Sequence, residues 1–296
     1  MLAWYGPRRR SYPWRITARR GGRFPDPYAV LTSEFMLQQT QARRVAPAFE
    51  EFMQRFPTVA DLAASSRADV VRAWGRLGYP RRAVSLHRAA GEIVARHGGV
   101  VPRDPAALRA LPGVGPYTAA AVASLAYGIP VAAVETNVRR IWARVDHAAE
   151  PDEIAARVLG ETAAAWLDHR DPADWNQALM DLGREVCRPL PRCDECPLRP
   201  WCAFAAAGRV GRGAMRRAPR YEGSLRQVRG RVLAALRERS PRTLAALSRE
   251  AGEPPERIRE AVRGLHSDGL VDASQRALDG ATRASVSLAG ERRVGA

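Results

Sequence analysis

Lysine is missing altogether from this 296-residue chain, so all 47 basic residues are arginine. A guanidinium stays protonated and cannot act as an amine nucleophile. Schiff-base chemistry through a side chain is therefore excluded, and the terminal amine is the one imine former left. Cysteine is scarce: there are four, and every one falls between positions 187 and 202. No apolar run approaches membrane-spanning length, and the opening residues MLAWYGPRRRSYPWR lack the apolar core of a secretion signal. A cytoplasmic, nucleoid-associated protein of bacterial type, with no membrane partner, is the expectation.

What the chain has in excess is positive charge, a formal +16. Charge of that size is the footprint of a polyanion binder, although part of it is arginine serving only as a solvated surface cation. The length suits roughly two domains.

The first two-thirds show apolar residues at helical spacing, as in 27–56, 66–74, 83–97 and 154–169. Only 131–134 resembles a strand. Residues 208–220 change to glycine, alanine and arginine, with Arg209, Arg212, Arg216, Arg217 and Arg220, and read as a basic linker. Beyond it, 226–239, 242–251 and 255–268 read as helices, and 270–273 and 282–288 as β-prone segments, a winged-helix pattern. Such a module serves either DNA contact or protein packing. The expected organisation is an all-α core over 1–206, a linker over 207–224 and a small α+β winged-helix-like domain over 225–296.

The cysteines run Cys187-x5-Cys193-x2-Cys196-x5-Cys202. Reducing conditions disfavour two disulfides packed so closely, and four thiolates suit a metal. Structural zinc and a [4Fe-4S] cluster are both open. A zinc ribbon usually pairs two CxxC knuckles, whereas one CxxC stands here, which tilts the spacing toward iron–sulfur.

Leu111-Pro112-Gly113-Val114-Gly115-Pro116-Tyr117-Thr118-Ala119 joins two helical segments. Gly113 and Gly115 permit a tight turn and a close backbone approach, and the helix that starts there aims its free N–H groups outward. Phosphate is the natural partner of such an end.

This hairpin, the 134–140 segment and the four-cysteine loop, in that order, resemble the helix-hairpin-helix glycosylases that include endonuclease III. Tyr12-Pro13-Trp14-Arg15, Ser33-Glu34, Met36-Leu37-Gln38-Gln39-Thr40-Gln41, Leu77-Gly78-Tyr79 and Asn176-Gln177-Ala178-Leu179-Met180-Asp181 are similar to MutY-type adenine glycosylases. The likeness covers about residues 10–205. It implies a mainly α, two-lobed core, a [4Fe-4S] cluster on Cys187, Cys193, Cys196 and Cys202, and excision of adenine mispaired with 8-oxoguanine or guanine in double-stranded DNA, by a monomer. The first cysteine gap is one residue shorter here than is usual in that family.

Breaking an N-glycosidic bond passes through an oxocarbenium-like sugar, which asks for an acid at the leaving base and an anion near the sugar. Glu34, beside Phe35-Met36-Leu37, is expected to be buried with a raised pKa, and its family counterpart protonates adenine. Glu135 stands where the superfamily has aspartate. Its charge is kept but its reach grows by roughly 1.5 Å, in a setting where ~1 Å of misplacement can cost ~100-fold. The resemblance gives Asn137 the task of orienting this carboxylate.

Tyr117 occupies the hairpin position where bifunctional glycosylase/lyases carry lysine, so water should complete the reaction and leave the strand intact. Trp14, Arg15 and Gln177 match residues around the extruded base. Gln39 matches a residue inserted into the duplex, and Tyr79 lies in the neighbouring wedge, where a second family tyrosine is replaced by Pro80. The nucleotide-hydrolase-like domain with which well-known members check for 8-oxoguanine has no counterpart in 225–296. Two other readings stay open: a glycosylase for thymine or uracil opposite guanine, and a catalytically impaired iron–sulfur DNA-binding protein.

Overall fold

The computed structural model describes residues 1–16, 24–213 and 220–291, which leaves Arg216 and Arg217 of the basic linker outside. The described residues fold mainly as helices, with one small sheet near the C-terminus. Among the described residues, no helix is long and apolar enough to cross a membrane. Two compact units share the chain: one takes Met1–Glu34 with Val101–Arg217, the other Phe35–Val100 with Ala218–Ala296.

In the first unit, helix Pro116–Tyr127 is buried from Thr118 to Ala126, because a run of alanines lets neighbours approach from every side. Such a helix has no solvent face. Its neighbours include Pro105–Arg109 and Pro172–Glu185, and the latter also packs on Thr136–His147. Val138, Ile141, Trp142, Leu179 and Leu182 form the shared core of that last pair.

The expected strand at 131–134 is irregular, and Asn176 supplies the reason. Its Oδ1 accepts from the Ala133 N–H at 2.9 Å and its Nδ2 donates to the Val131 carbonyl at 2.9 Å. One buried side chain therefore satisfies the backbone groups that a neighbouring strand would otherwise have taken.

The apolar pattern over 27–56 proves to be two helices, Pro27–Leu37, whose last turn begins the second unit, and Ala42–Arg55, separated where Gln39 adopts φ +56°. Thr58 and Asp61 form a capping box ahead of Val59–Ala64, and Ser66 caps Arg67–Trp74. Helix Arg81–His97 then ends on left-handed Gly98.

Helices Leu225–Glu238, Leu244–Ala251 and Pro255–Ser267 pack with strands β1 (Arg242–Thr243), β2 (Val271–Ala273) and β3 (Ser285–Leu288). The sheet is antiparallel in the order β1-β3-β2, with Val271 opposite Leu288 and Arg242 opposite Val286. Alternation along β3 buries Val286 and Leu288. The start of the predicted helix at 242 is instead β1, since Thr243 caps the helix from Leu244. The core of this module also includes Ala68, Val71 and Val84, so it is continuous with the Phe35–Val100 segment.

Candidate active site

Glu34 sits on Pro27–Leu37, a helix whose residues from Val30 to Met36 are all buried. With no wet face available, Glu34 is only 5% exposed. Burial pushes its pKa up to about 7, while a hydrogen bond from the Tyr117 hydroxyl and the charge of Arg15 pull the other way. Near neutral pH the group is thus divided between acid and carboxylate, the state a proton donor needs.

Tyr117 lies in the first turn of Pro116–Tyr127. Burial and the nearby charges of Glu34 and Glu135 hold its pKa well above the ordinary value, so it stays a neutral phenol. The hydroxyl also lies 3.6 Å from Met180 Sδ. It can donate to an ionised Glu34, or accept from the protonated form and turn its own proton toward the sulfur.

Glu135 is the N-cap of Thr136–His147, its Oε1 accepting from the Val138 N–H at 3.2 Å. The helix end thereby fixes the longer carboxylate. Asn137 does not bond to Glu135; its Oδ1 accepts from Arg140 Nη2 at 2.7 Å. Arg140 also donates to the carbonyls of Gly183 and Cys187, each at 2.7 Å. It joins the helix behind Glu135 to the start of the cysteine loop.

Gln177 is buried, and its Oε1 accepts from the Tyr5 hydroxyl at 3.0 Å. Arg15 is paired with Asp181 at 3.2 Å, and Asp181 also takes Arg184 at 2.7 Å. Trp14 is 6% exposed and stacks on Tyr12, with centroids 4.8 Å apart and planes 8° from parallel. Trp14 is thus packed into the protein along one ring face. Tyr5 escaped the sequence reading, since a lone tyrosine near a terminus carries no signal of its partner 172 residues away.

In the hairpin, Gly113 carries the conformational demand with φ +79°, while Gly115 has ordinary dihedrals and open space where a Cβ would stand.

Gln39 and Tyr79 belong to the second unit, and both hold left-handed backbone, φ +56° and +45°. For residues other than glycine this is strained. Buried Arg82 holds them there. Its Nη1 donates to the carbonyls of Phe35, Met36 and Gln38 at 2.8, 2.9 and 2.5 Å. Its Nη2 reaches Thr40 Oγ1 at 3.0 Å and the Gly78 carbonyl at 3.1 Å, and its plane faces the rings of Trp74 and Tyr79. Gln39 and Tyr79 themselves are exposed.

Cys187, Cys193, Cys196 and Cys202 all line one cavity, together with Arg144, Arg192 and Arg199. Arg144, paired with Glu150 at 2.8 Å, points Nη1 at Cys187 Sγ from 3.7 Å. In the linker, Arg209 and Arg212 are occupied by ion pairs with Glu153 and Asp152.

A buried acid, a second carboxylate on a helix end and a glycine hairpin, on a helical scaffold, define an N-glycosylase of the helix-hairpin-helix class. Residues 32–162 match the HhH-GPD superfamily of base excision DNA repair proteins. The adenine DNA glycosylase of Mycolicibacterium smegmatis is 42% identical over 274 residues, covering 92% of this chain and 91% of that protein. The human adenine DNA glycosylase is 40% identical over 213 residues, 68% of this chain and 38% of that protein. A solved thermostable thymine-DNA glycosylase superposes with a TM-score of 0.63 at 29% identity, over 70% of this chain and 93% of that one. A solved endonuclease III–DNA complex gives a TM-score of 0.58 at 21% identity over the same shares, a likeness of fold. The chain belongs to the adenine DNA glycosylases of this superfamily: it is a hydrolase that binds DNA and acts in base excision repair.

Proposed function

We propose that the chain removes adenine paired with 8-oxoguanine or guanine from double-stranded DNA, as a monomer and without cutting the strand. The observation that carries this reading is Glu34, a buried acid with a pKa of about 7 bonded to a neutral tyrosine. Glu34 protonates the adenine ring and weakens the glycosidic bond. Glu135 faces the positive charge that grows on the sugar, and water completes the substitution. Tyr117 holds the proton on the correct side of Glu34. With no lysine in the chain, an abasic site on an intact strand is the product.

Gln177 presents its amide to the base edge. Tyr5 occupies its carbonyl, so the NH2 end is the part free to read a ring nitrogen of adenine. Arg15, braced by Asp181, lowers the cost of a charged Glu34 once the proton has left. Gly113 and Gly115 bring helix Pro116–Tyr127 close to a phosphate, and Gln39 and Tyr79 enter the duplex beside the mispair.

The cysteine cavity fits a [4Fe-4S] cluster. Four thiols lining one cavity are the donor set that such a cluster takes. The three lining arginines offset the charge of thiolate ligands. Cys187, Cys193, Cys196 and Cys202 would hold the cluster, which would cross-link the 187–202 loop within itself.

The test is single-turnover base release from duplexes with adenine opposite 8-oxoguanine, guanine or cytosine, and thymine or uracil opposite guanine. Hot alkali reveals abasic sites, and an untreated lane detects strand cleavage. Adenine release opposite 8-oxoguanine and guanine, with strands intact until alkali, is the expected result. Release of thymine or uracil instead, or cleavage in the untreated lane, overturns it.

A further inference from the structure

The 75–80 loop, which ends in Tyr79 and Pro80, hangs between helices Arg67–Trp74 and Arg81–His97. The C-terminal module touches both helices. Ala68 and Val71 from the first and Val84 from the second enter the same apolar core as Val232, Leu236 and Val286.

Polar contacts fall at the ends of these helices, next to the loop. The last carbonyls of a helix lack intrahelical donors. At the end of Arg67–Trp74, the Gly75 N–H turns to the Arg72 carbonyl and leaves that of Val71 free. Arg237 of the module supplies the missing donor, its Nε lying 3.1 Å from the Val71 oxygen. One residue on, Arg72 pairs with Glu291, which also accepts from Ser240.

The module's Asp268-Gly269 turn reaches both sides. The Gly269 carbonyl accepts from Arg67 at 3.3 Å, and Asp268 takes Arg81 at 3.4 Å, the first residue after the loop. Within the loop, Trp74 Nε1 donates to the Gly78 carbonyl at 3.1 Å, so displacing that helix end displaces Tyr79.

We propose that the module at 225–291 positions the 75–80 loop, and that it thereby sets how sharply the enzyme distinguishes the base opposite the adenine. Arg237 is the positioning residue, closing the helix that leads into the loop. Asp268 and Gly269 fix the spacing of the two flanking helices. The positioning stands on the contacts above; the effect on base choice rests on the reading that Tyr79 enters the duplex.

The experiment uses the full chain with Arg237→Met, which keeps the apolar stem and removes the donor, and Arg237→Lys, which restores one. Arg249→Ala, an exposed change elsewhere in the module, is the control. Amide hydrogen exchange in the free protein is measured across 75–80 and across 116–127. Single-turnover adenine release is measured opposite 8-oxoguanine and opposite guanine.

Loss of a bond to a buried carbonyl predicts about tenfold faster exchange in 75–80 for Arg237→Met, with 116–127 unchanged. The rate ratio between the two opposing bases should fall about fivefold, with recovery of both readouts in Arg237→Lys. Unchanged exchange in 75–80, or equal acceleration in both segments, overturns the positioning. Faster exchange in 75–80 with an unaltered rate ratio leaves the positioning standing and overturns the duplex role of Tyr79.

Discussion

Gly183 lies flat against Asn137: a Cβ on the glycine would stand 2.6 Å from the asparagine Cβ and 3.2 Å from its carbonyl oxygen. The contact closes helix Pro172–Glu185 onto the first turn of Thr136–His147, the turn that Glu135 caps. Gly183→Ala sets two effects against each other. Alanine favours the helix by roughly 1 kcal/mol, but the clash is with backbone as well as side chain and has no easy relief. The clash should win, moving Glu135 and lowering single-turnover base release ~100-fold, with a lower thermal midpoint. A variant with wild-type rates would show that the two helices can part without harm.

Glu34 gives a pH dependence of definite sign. Its folded pKa, about 7, lies above the ordinary 4.5, so the folded state binds its proton more tightly than the unfolded chain. The stability this group contributes is full below pH 4.5 and is lost as pH rises through 7. Glu34→Gln should therefore stabilise the protein above pH 8, by up to about 3 kcal/mol, while base release collapses. Denaturant titrations at pH 5 and pH 8.5 read the first effect. In the unaltered enzyme, base release should decline with a limb near pH 7, and Tyr117→Phe should move that limb upward, because a bond that favours the carboxylate is gone.

Charge and length at position 135 can be separated. Glu135→Gln keeps the shape and the cap but removes the charge, and base release should fall between ~100- and ~1000-fold. Glu135→Asp keeps the charge and the N-cap chemistry, and should stay within ~10-fold of the parent. Equal loss in both variants would show that reach outweighs charge here.

Arg82→Met leaves the carbonyls of Phe35, Met36 and Gln38 without their shared donor. Gln39 and Tyr79 then have less to hold them in left-handed backbone, and both should relax. Binding to a mispaired duplex should weaken about tenfold or more, with little change in the pH limb set by Glu34. A shifted limb with unweakened binding would contradict this division of labour.

Cys196→Ala removes one of the four cavity thiols. The parent purified without oxygen should carry four irons and the visible absorption of an iron–sulfur cluster, and the variant should lose both. Because Arg140 links the Cys187 carbonyl to Asn137, base release should fall with the cluster. Zinc in the parent at one ion per chain would refute the cofactor assignment.

Much of this was legible in the sequence. The burial of Glu34 follows from its apolar neighbours, and the hairpin and cysteine loop announce themselves by spacing. The strand expected at 131–134 fails because periodicity reports burial and is silent about which group satisfies the backbone. Asn176 does so from a distant helix. Arg82 and Arg237 were hidden among 47 arginines, where composition cannot tell a buried cross-link from a solvated cation. The packing of the module against Ala68 and Val71 is a tertiary fact that no local pattern encodes.

Asn176, Gln177, Asp181 and Gly183 all lie on helix Pro172–Glu185. Asn176 grips the segment leading to Glu135, Gln177 offers its amide, Asp181 braces Arg15, and Gly183 meets Asn137. This one helix therefore serves as a common datum for the groups around Glu34 and Glu135. Under the proposed function, in which Gln177 meets the base and Glu135 the sugar, a purine in register at one end of this rod would be in register at the other, and a smaller base would fall short.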